Sequence, residues 1–260
     1  MAEFIYFGRW RKSVFFRHRF MFYLGFVFLD LSMEQAYLCW SGGKDATLAL
    51  YRSICSDLYD VKALFSVVKK DSGKLAMHEV GEHLLRKQAE AVGIPFIPFH
   101  IDTSWTDNDY EANMSQVVES LKSLGLTTAM FGDLYLEELR RQRETKCFAD
   151  GIKAVFPLWH IPTKDVVSEF VKLGFKAVVT CVDCSVLSES FVGRIIDNDF
   201  IADFPSGADV CGENGEYHSF VFNGPIFSHP VDFNIKGEYS REYVCEEGGH
   251  TARYCYLDLE

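Results

Sequence analysis

From Tyr37 onward, short apolar runs alternate with stretches whose apolar residues recur every three or four positions. An unbroken β-branched run or a period of two marks a strand, and the longer spacing marks a helix. Residues 36–40 are the first strand-like run, and Ala46, Leu48, Ala49, Leu50 and Ile54 open a helical stretch over 46–56. Val61–Val68 reads as the second strand. Val80–Val92 has helical spacing and stops at Gly93, the residue type that most readily takes the left-handed turn closing a helix. Pro95–Ile101 is the third strand, Asp107–Leu124 a helix closed by Gly125, Thr128–Phe131 the fourth strand, and Leu134–Ala149 a charged helix. Val155–Trp159 reads as a short strand, Thr163–Leu173 as a helix stopped by Gly174, and Lys176–Val182 as a further buried strand. This alternation predicts an α/β fold, a doubly wound parallel sheet with helices on both faces.

The rhythm changes after Asp183. Val186–Ile201 has helical spacing. Pro205, Gly207, Gly212, Gly215 and Gly224-Pro225 then punctuate short β runs at Ser219–Phe222, Val231–Lys236 and Arg253–Leu259. Residues 33–182 are expected to form the main domain, and 183–260 a smaller α+β part packed on its sheet. Residues 1–32 stand apart. They hold eight of the 23 phenylalanines, and Arg9, Arg11, Lys12, Arg17 and Arg19 against Glu3 and Asp30. The uncharged run Phe20–Leu29 is about half the length of a membrane span. No small-residue cleavage site follows it. Met33 precedes the first strand, so 1–32 read as an upstream extension, disordered or absent. A signal or anchor and a structural element are the alternatives.

Composition narrows the classes. With 260 residues, 48% apolar and 24% charged, the chain is globular and can bury a core. A net charge of −11 speaks against a general nucleic-acid binder, tRNA included, and against a protein held on anionic membrane. Eight cysteines without a small-domain framework read as reduced thiols of a cytoplasmic protein.

The first strand ends in Ser41-Gly42-Gly43-Lys44-Asp45, directly before the first helix. Two glycines let backbone approach a ligand closely. Successive N–H groups in such a turn, with the helix N-terminus behind them, attract a phosphate. The spacing is not that of Walker A, which needs a longer glycine loop and Lys-Ser/Thr. A plain βα turn without a ligand is the bland reading. Lys44 reads as a phosphate partner or a surface lysine. Asp45 reads as a Mg²⁺ ligand or a helix cap.

Ligands of open α/β sheets sit beyond the carboxyl ends of the strands. Ser66 lies near the end of the second predicted strand, and Met77-His78, Asp102, Gly132-Asp133 and Asp183 follow predicted strands, as Ser41–Asp45 does. Beyond Gly132-Asp133 lie Arg140, Arg141, Arg143 and Glu144, where arginines contact phosphate or a substrate carboxylate, or lace an exposed helix with ion pairs. A third constellation runs from Asp209 to His218 with Cys211, Gly212, Glu213, Asn214, Gly215 and Glu216. Glu213 and Glu216 can position ammonia, act as base or bind metal, and the bland reading is a glycine-rich hairpin loop. Cys181 and Cys184 form a CxxC without a second close pair, which reads as core packing rather than a metal site.

SGGKD after a first strand resembles the PP-loop of the N-type ATP pyrophosphatases, the adenine nucleotide alpha hydrolases. That motif usually ends in Ser, where this chain has Ala46 followed by Thr47. GDLYLEELR, PLWHIP, GFKAVVTCVD and above all CGENGEYHSFVFNGPIF resemble the diphthine–ammonia ligase family within that group. The likeness runs from about Met33 to about Phe227, and Pro157–Pro162 is similar to the short, bacterial-type branch. The resemblance implies an adenine nucleotide alpha hydrolase-like fold with ATP phosphates on Ser41, Gly42, Gly43, Lys44 and Asp45. It also implies nucleotide contacts at His78, Gly132 and Asp133, and an acceptor beside Gly212, Glu213, Gly215 and Glu216. Diphthamide is a modification of archaeal and eukaryotic elongation factor 2, so a bacterial-type member leaves its acceptor open.

The expectation is therefore an ATP- and Mg²⁺-dependent ligase that adenylylates a small-molecule or protein acceptor and releases pyrophosphate. Ammonia, free or delivered by a partner, then forms an amide. Lys44, Asp45, Glu213 and Glu216 would carry the chemistry. Ser66, His78, Gly132 and Asp133 would complete the ATP site, and Arg140, Arg143 and Asn214 the acceptor side. One rival is an ATP-dependent tRNA sulfurtransferase, which needs paired reactive cysteines. The other is a nucleotide-binding protein without turnover, towards which Ala46 leans.

Overall fold

A computed structural model describes residues 33–75, 79–244 and 251–260. The extension 1–32 and Met77-His78 lie outside the described residues. β1 (Glu34–Cys39) leads through the Ser41–Gly43 turn into α1 (Lys44–Cys55). β2 (Tyr59–Lys69), α2 (Glu82–Val92), β3 (Phe96–Ile101), α3 (Asp107–Ser123), β4 (Thr128–Met130), α4 (Glu137–Ala149), β5 (Lys153–Val155) and α5 (Thr163–Lys172) follow. The first five strands pair in parallel in the order β3-β2-β1-β4-β5. The chain winds outward from β1 to β3, then returns to place β4 on the other side of β1. The connections leave β1 and β4 in opposite directions there, which opens a crevice at their carboxyl ends.

Both faces of this sheet are covered, so its strands read as continuous apolar runs. Alternation along β1 sends Leu38 to one core and Tyr37 to the other. Leu38 packs with Leu48, Leu84, Leu85 and Phe170 from α1, α2 and α5. Tyr37 packs with Phe65, Phe99, Val118 and Leu121 on the α3 side. α2 ends on Gly93 in the left-handed conformation, as its sequence predicts. α3 starts with a reciprocal cap between Thr106 and Asp109.

The second layer is antiparallel, in the order β7-β6-β9-β8, from β6 (Lys176–Asp183), β7 (Tyr217–Asn223), β8 (Ile235–Val244) and β9 (Thr251–Leu259). Two expectations are corrected here. β6 is a strand of this second sheet, so Asp183 does not lie at the carboxyl edge of the parallel one. A fully apolar strand looks the same in sequence whether parallel or centrally antiparallel. The expected helix over 186–201 is replaced by a 3-10 turn at Glu189–Phe191 and a short α6 (Asn198–Asp203). Between them, Ile196 N–H and Gly193 N–H donate to the carbonyls of Ala177 and Val179 along β6. Gly193 takes a positive φ and Asp197 caps α6, two breakers that outweigh the apolar spacing. β5 also lies two residues earlier than the expected Val155–Trp159, and β8 starts only at Ile235. Among the described residues no helix is long and apolar enough to cross a membrane.

Candidate active site

The Ser41–Asp45 turn is clamped between the two sheets. Val221 N–H and Gln88 Nε2 both donate to the carbonyl of Gly42, each at 2.9 Å. Gln88 is wholly buried and also donates to Val221 O at 2.6 Å while accepting from Trp40 Nε1 at 2.9 Å. Gly42 takes φ +74°, and a Cβ there would meet Gln88 Oε1 at 2.6 Å. Ser219 Oγ accepts from Lys44 N–H at 3.2 Å, and Ser41 Oγ accepts from Gly43 N–H at 3.3 Å. Thr47, which follows the missing motif serine, is fully buried and donates to Gly43 O at 2.8 Å. Its hydroxyl therefore closes the first turn of α1 instead of replacing that serine.

Lys44 is only 3% exposed, yet it stays charged. Burial pulls its pKa down, and Asp45, whose Oδ2 is 2.7 Å from Nζ, more than reverses this. The ammonium also lies 5.0 Å from the centre of the Tyr217 ring. Asp45 is not the cap of α1, because Gly43 holds that position. Its Oδ1 accepts from the thiol of Cys211 at 3.4 Å. Burial, then Asp45, pushes the Cys211 thiol well up, so it is a neutral donor and not a nucleophile.

Gly132 lies across the crevice from this turn. A Cβ there would stand 2.9 Å from Ala46 N, so only glycine leaves the first turn of α1 uncovered on this side. Next to it, Asp133 meets Arg143 of α4. Nη2 donates to Oδ1 at 3.1 Å, while Nε and Oδ2 are 2.5 Å apart but off hydrogen-bonding alignment, both buried. Burial raises the Asp133 pKa, and Arg143 opposes the rise.

The Asp209–Glu216 loop comes from the second sheet and closes on the same turn. Glu213 Oε1 accepts from Leu134 N–H at 2.8 Å and Tyr135 N–H at 3.4 Å. Burial lifts its pKa to about 7, the Leu134 bond opposes this, and the charges of Asp45 and Asp133 add to the rise. The charges of Asp45 and Asp133 thus both act on Glu213, and Lys44 pairs with the first of them. Such hard oxygen donors suit Mg²⁺, and a charged lysine beside backbone N–H groups at a helix start suits phosphate.

Other predicted residues have structural duties. Glu216 is 4% exposed and holds its own loop, accepting from Asp209 N–H, Asn214 N–H and Asn214 Nδ2, each at 3.0 Å. Asn214 also accepts from Tyr135 OH at 3.0 Å. Gly212 takes φ +72° and packs so closely on Tyr217 that a Cβ would lie 2.9 Å from its ring. Gly215 takes φ +89° at the tip of the loop. Ser66 is buried within β2, three residues before its end, and donates to Trp40 O, tying β2 to the end of β1. Arg140 is not brought to the cluster. It stacks 4.6 Å from the Trp159 ring and pairs with Glu144 at 2.7 Å. His78 lies outside the described residues.

Sequence reasoning missed Gln88 and Ser219 as parts of this site, and it placed Cys211 in the acidic loop without a role. Gln88 had a legible signal, since it interrupts the apolar stripe Leu84, Leu85, Ala91 of α2. Ser219 had none, and the role of Cys211 had none, because each acts through a contact between the two sheets. The CxxC also needs correction. Cys181 packs in the core, as expected, but Cys184 pairs with Cys255, 2.6 Å away on β9.

Two family models match the chain: the diphthamide synthase N-terminal domain over residues 33–154 and the diphthamide synthase C-terminal domain over 162–254. Their junction falls before β6, in agreement with the sheet to which that strand belongs. Diphthine–ammonia ligase of Bos taurus is 21% identical over 238 residues, 84% of this chain and 87% of the relative. The Danio rerio ligase is 23% identical over 212 residues, 74% of this chain and 83% of its own. The ligase of Schizosaccharomyces pombe is 21% identical over 239 residues, 85% of this chain and only 38% of its own length.

Proposed function

As the chain belongs to the diphthamide synthase family, we propose that it is an ATP-dependent ligase that joins ammonia to an acceptor carboxyl group, releasing AMP and pyrophosphate. The observation that carries this reading is the bond from Leu134 N–H to Glu213. It draws the CGENGE loop onto Gly132-Asp133, opposite the SGGKD turn, so that a nucleotide and an acceptor share one crevice.

In this reading the ATP phosphates lie on Ser41–Asp45, at the start of α1 and against Lys44. Asp45 and Asp133 would hold Mg²⁺, which when bound neutralises phosphate charge. An acceptor carboxylate oxygen attacks the α-phosphorus, and the bond to pyrophosphate breaks. Ammonia then attacks the mixed anhydride, loses a proton and displaces AMP. Lys44 offsets charge developing on the phosphates, and the walls of the crevice hold the reactants in line. Glu213, with a pKa near neutrality, is suited to accept the proton from the attacking amine.

The sulfurtransferase alternative gains no support from the cysteines. Cys211 borders the crevice as a neutral thiol, and the Cys184–Cys255 pair joins the residue just past β6 to β9. Incubation with ATP, Mg²⁺, ammonium and a pool of carboxylate metabolites tests the proposal. The expected result is AMP and pyrophosphate in step with an amide product. Formation of ADP and inorganic phosphate instead would overturn it.

A further inference from the structure

The second sheet carries a cluster of reactive groups that the ligase chemistry does not use. In the ladder Val182 faces Cys255, and Cys184 lies two residues on, just past the end of β6, with its N–H bonded to Arg253 O at 2.9 Å. The two cysteines are therefore diagonal neighbours on one face, and pairing of β6 with β9 holds both backbones. Their sulfurs are 2.6 Å apart, against about 2.05 Å for a disulfide bond. A cavity of about 500 Å³, lined by Ser185, Ser188, Glu189, Thr251 and Arg253, opens onto Cys184, while Cys255 is buried.

Glu189 completes a three-residue group whose ligand atoms lie within 4.8 Å of one another. A cation does not suit this geometry. Two thiolates on one Zn²⁺, each about 2.3 Å from it, sit further apart than these sulfurs do. Glu189 Oε1 is also engaged by Arg253 Nη1 at 2.6 Å. Two thiols, one accessible and one behind it, are instead poised to join.

We propose that Cys184 and Cys255 form an oxidisable dithiol that a peroxide converts to an intramolecular disulfide linking β6 to β9. The peroxide transfers one oxygen to the Cys184 sulfur, giving a sulfenic acid, and its other oxygen leaves as water. The Cys255 sulfur then attacks Cys184. The S–S bond forms, the S–O bond breaks, and a second water carries away the Cys255 proton. Two thiols and one hydrogen peroxide become one disulfide and two waters. Burial, then the neighbouring thiol, pushes Cys184 up to about 12, partly offset by Arg253. A thiol so raised oxidises slowly, and as a poor leaving group it makes a disulfide that is slow to be reduced at that sulfur. The link falls next to Asp183, whose N–H donates to Glu216 O at 2.9 Å, so it braces the strand on which the acceptor loop is anchored.

Peptide mapping of the whole reduced protein, titrated with hydrogen peroxide and quenched with an alkylating agent, tests this. The expected product is the tryptic peptide 177–194 joined to 254–260, two hydrogens lighter than the reduced pair. Cys184→Ser and Cys255→Ser should each abolish the linked peptide, whereas Cys181→Ser and Cys55→Ser should retain it. The wild-type map decides the matter should a serine variant not fold. No linked peptide at a dose that oxidises the exposed Cys55 would overturn the proposal. So would a link through Cys181, or a co-purified metal that shields both thiols until a chelator removes it.

Discussion

Glu213 and Leu134 meet across the junction of the two sheets, carboxylate oxygen to backbone nitrogen at 2.8 Å. Glu213→Gln keeps an oxygen to accept from Leu134 N–H and loses the capacity to take a proton. ATP binding should persist within a few-fold, while amide formation falls by about 100-fold or more. Equilibrium binding of a non-hydrolysable ATP analogue, set beside product formation, separates the two. Equal loss of both would remove the acceptor-side role of Glu213.

Lys44→Gln and Asp45→Asn should each lower pyrophosphate release by at least about 100-fold, the usual scale for a group that meets transition-state charge. Each replacement is nearly isosteric, so circular dichroism should show the fold retained. Turnover near the wild-type rate in either variant contradicts the placement of phosphates on this turn.

Gly132→Ala tests the open side of α1. The added carbon would meet Ala46 N at 2.9 Å, and the backbone at Gly132 needs no positive φ. The KM for ATP should rise by roughly tenfold, which corresponds to about 1.4 kcal/mol. An unchanged KM would mean that the nucleotide does not use this end of the helix.

Gln88→Leu removes three buried hydrogen bonds at the clamp on Gly42. The carbonyl of Val221 and the indole N–H of Trp40 lose this partner, at a cost of about 1–3 kcal/mol for each buried group left unsatisfied. Urea unfolding should show a loss of about 2–6 kcal/mol, the sum for the two groups. Residual folded enzyme should bind ATP more weakly, because Gly42 loses one of its two anchors.

His218 on β7 sets an acid limit. Burial, then the charge of Lys44, lowers its pKa from 6.5 to about 4. Below pH 6.5 the unfolded chain gains this proton and the folded chain does not until about pH 4. Stability from the neutral imidazole is therefore full above 6.5 and lost as pH falls towards 4, by about 2 kcal/mol at pH 5. The carboxyls of Asp133 and Glu213 pull the other way, so the useful quantity is the difference between wild type and His218→Gln. Urea midpoints at pH 7 and pH 5 should show the wild type losing more than the variant.

The parallel half was legible because each of its strands feeds a helix, and period and breakers agree. The Ser41–Asp45 turn and Gly132-Asp133 were legible for the same reason: their place at strand ends follows from the alternation. The C-terminal half was not. β6 is buried without a break from Ala177 to Val182, and no local pattern says which sheet will bury it. Residues 186–201 have helical spacing but run partly along β6, where hydrogen bonds from Gly193 and Ile196 outweigh propensity. Glu216 looked like a reactive carboxylate because it stands beside Glu213. Only the folded loop reveals that its oxygens are taken up by backbone and amide donors.

Gly42 O accepts one hydrogen bond from α2 in the first half of the chain and one from β7 in the second. The Ser41–Asp45 turn is thus not a portable cassette, although its motif is short and local. Transplanted with only the parallel sheet, it would lose Val221 and Ser219 and with them one wall of its mould. Any chimera between members of this family must keep β7 matched to the turn it supports, so the two halves are bound to vary together.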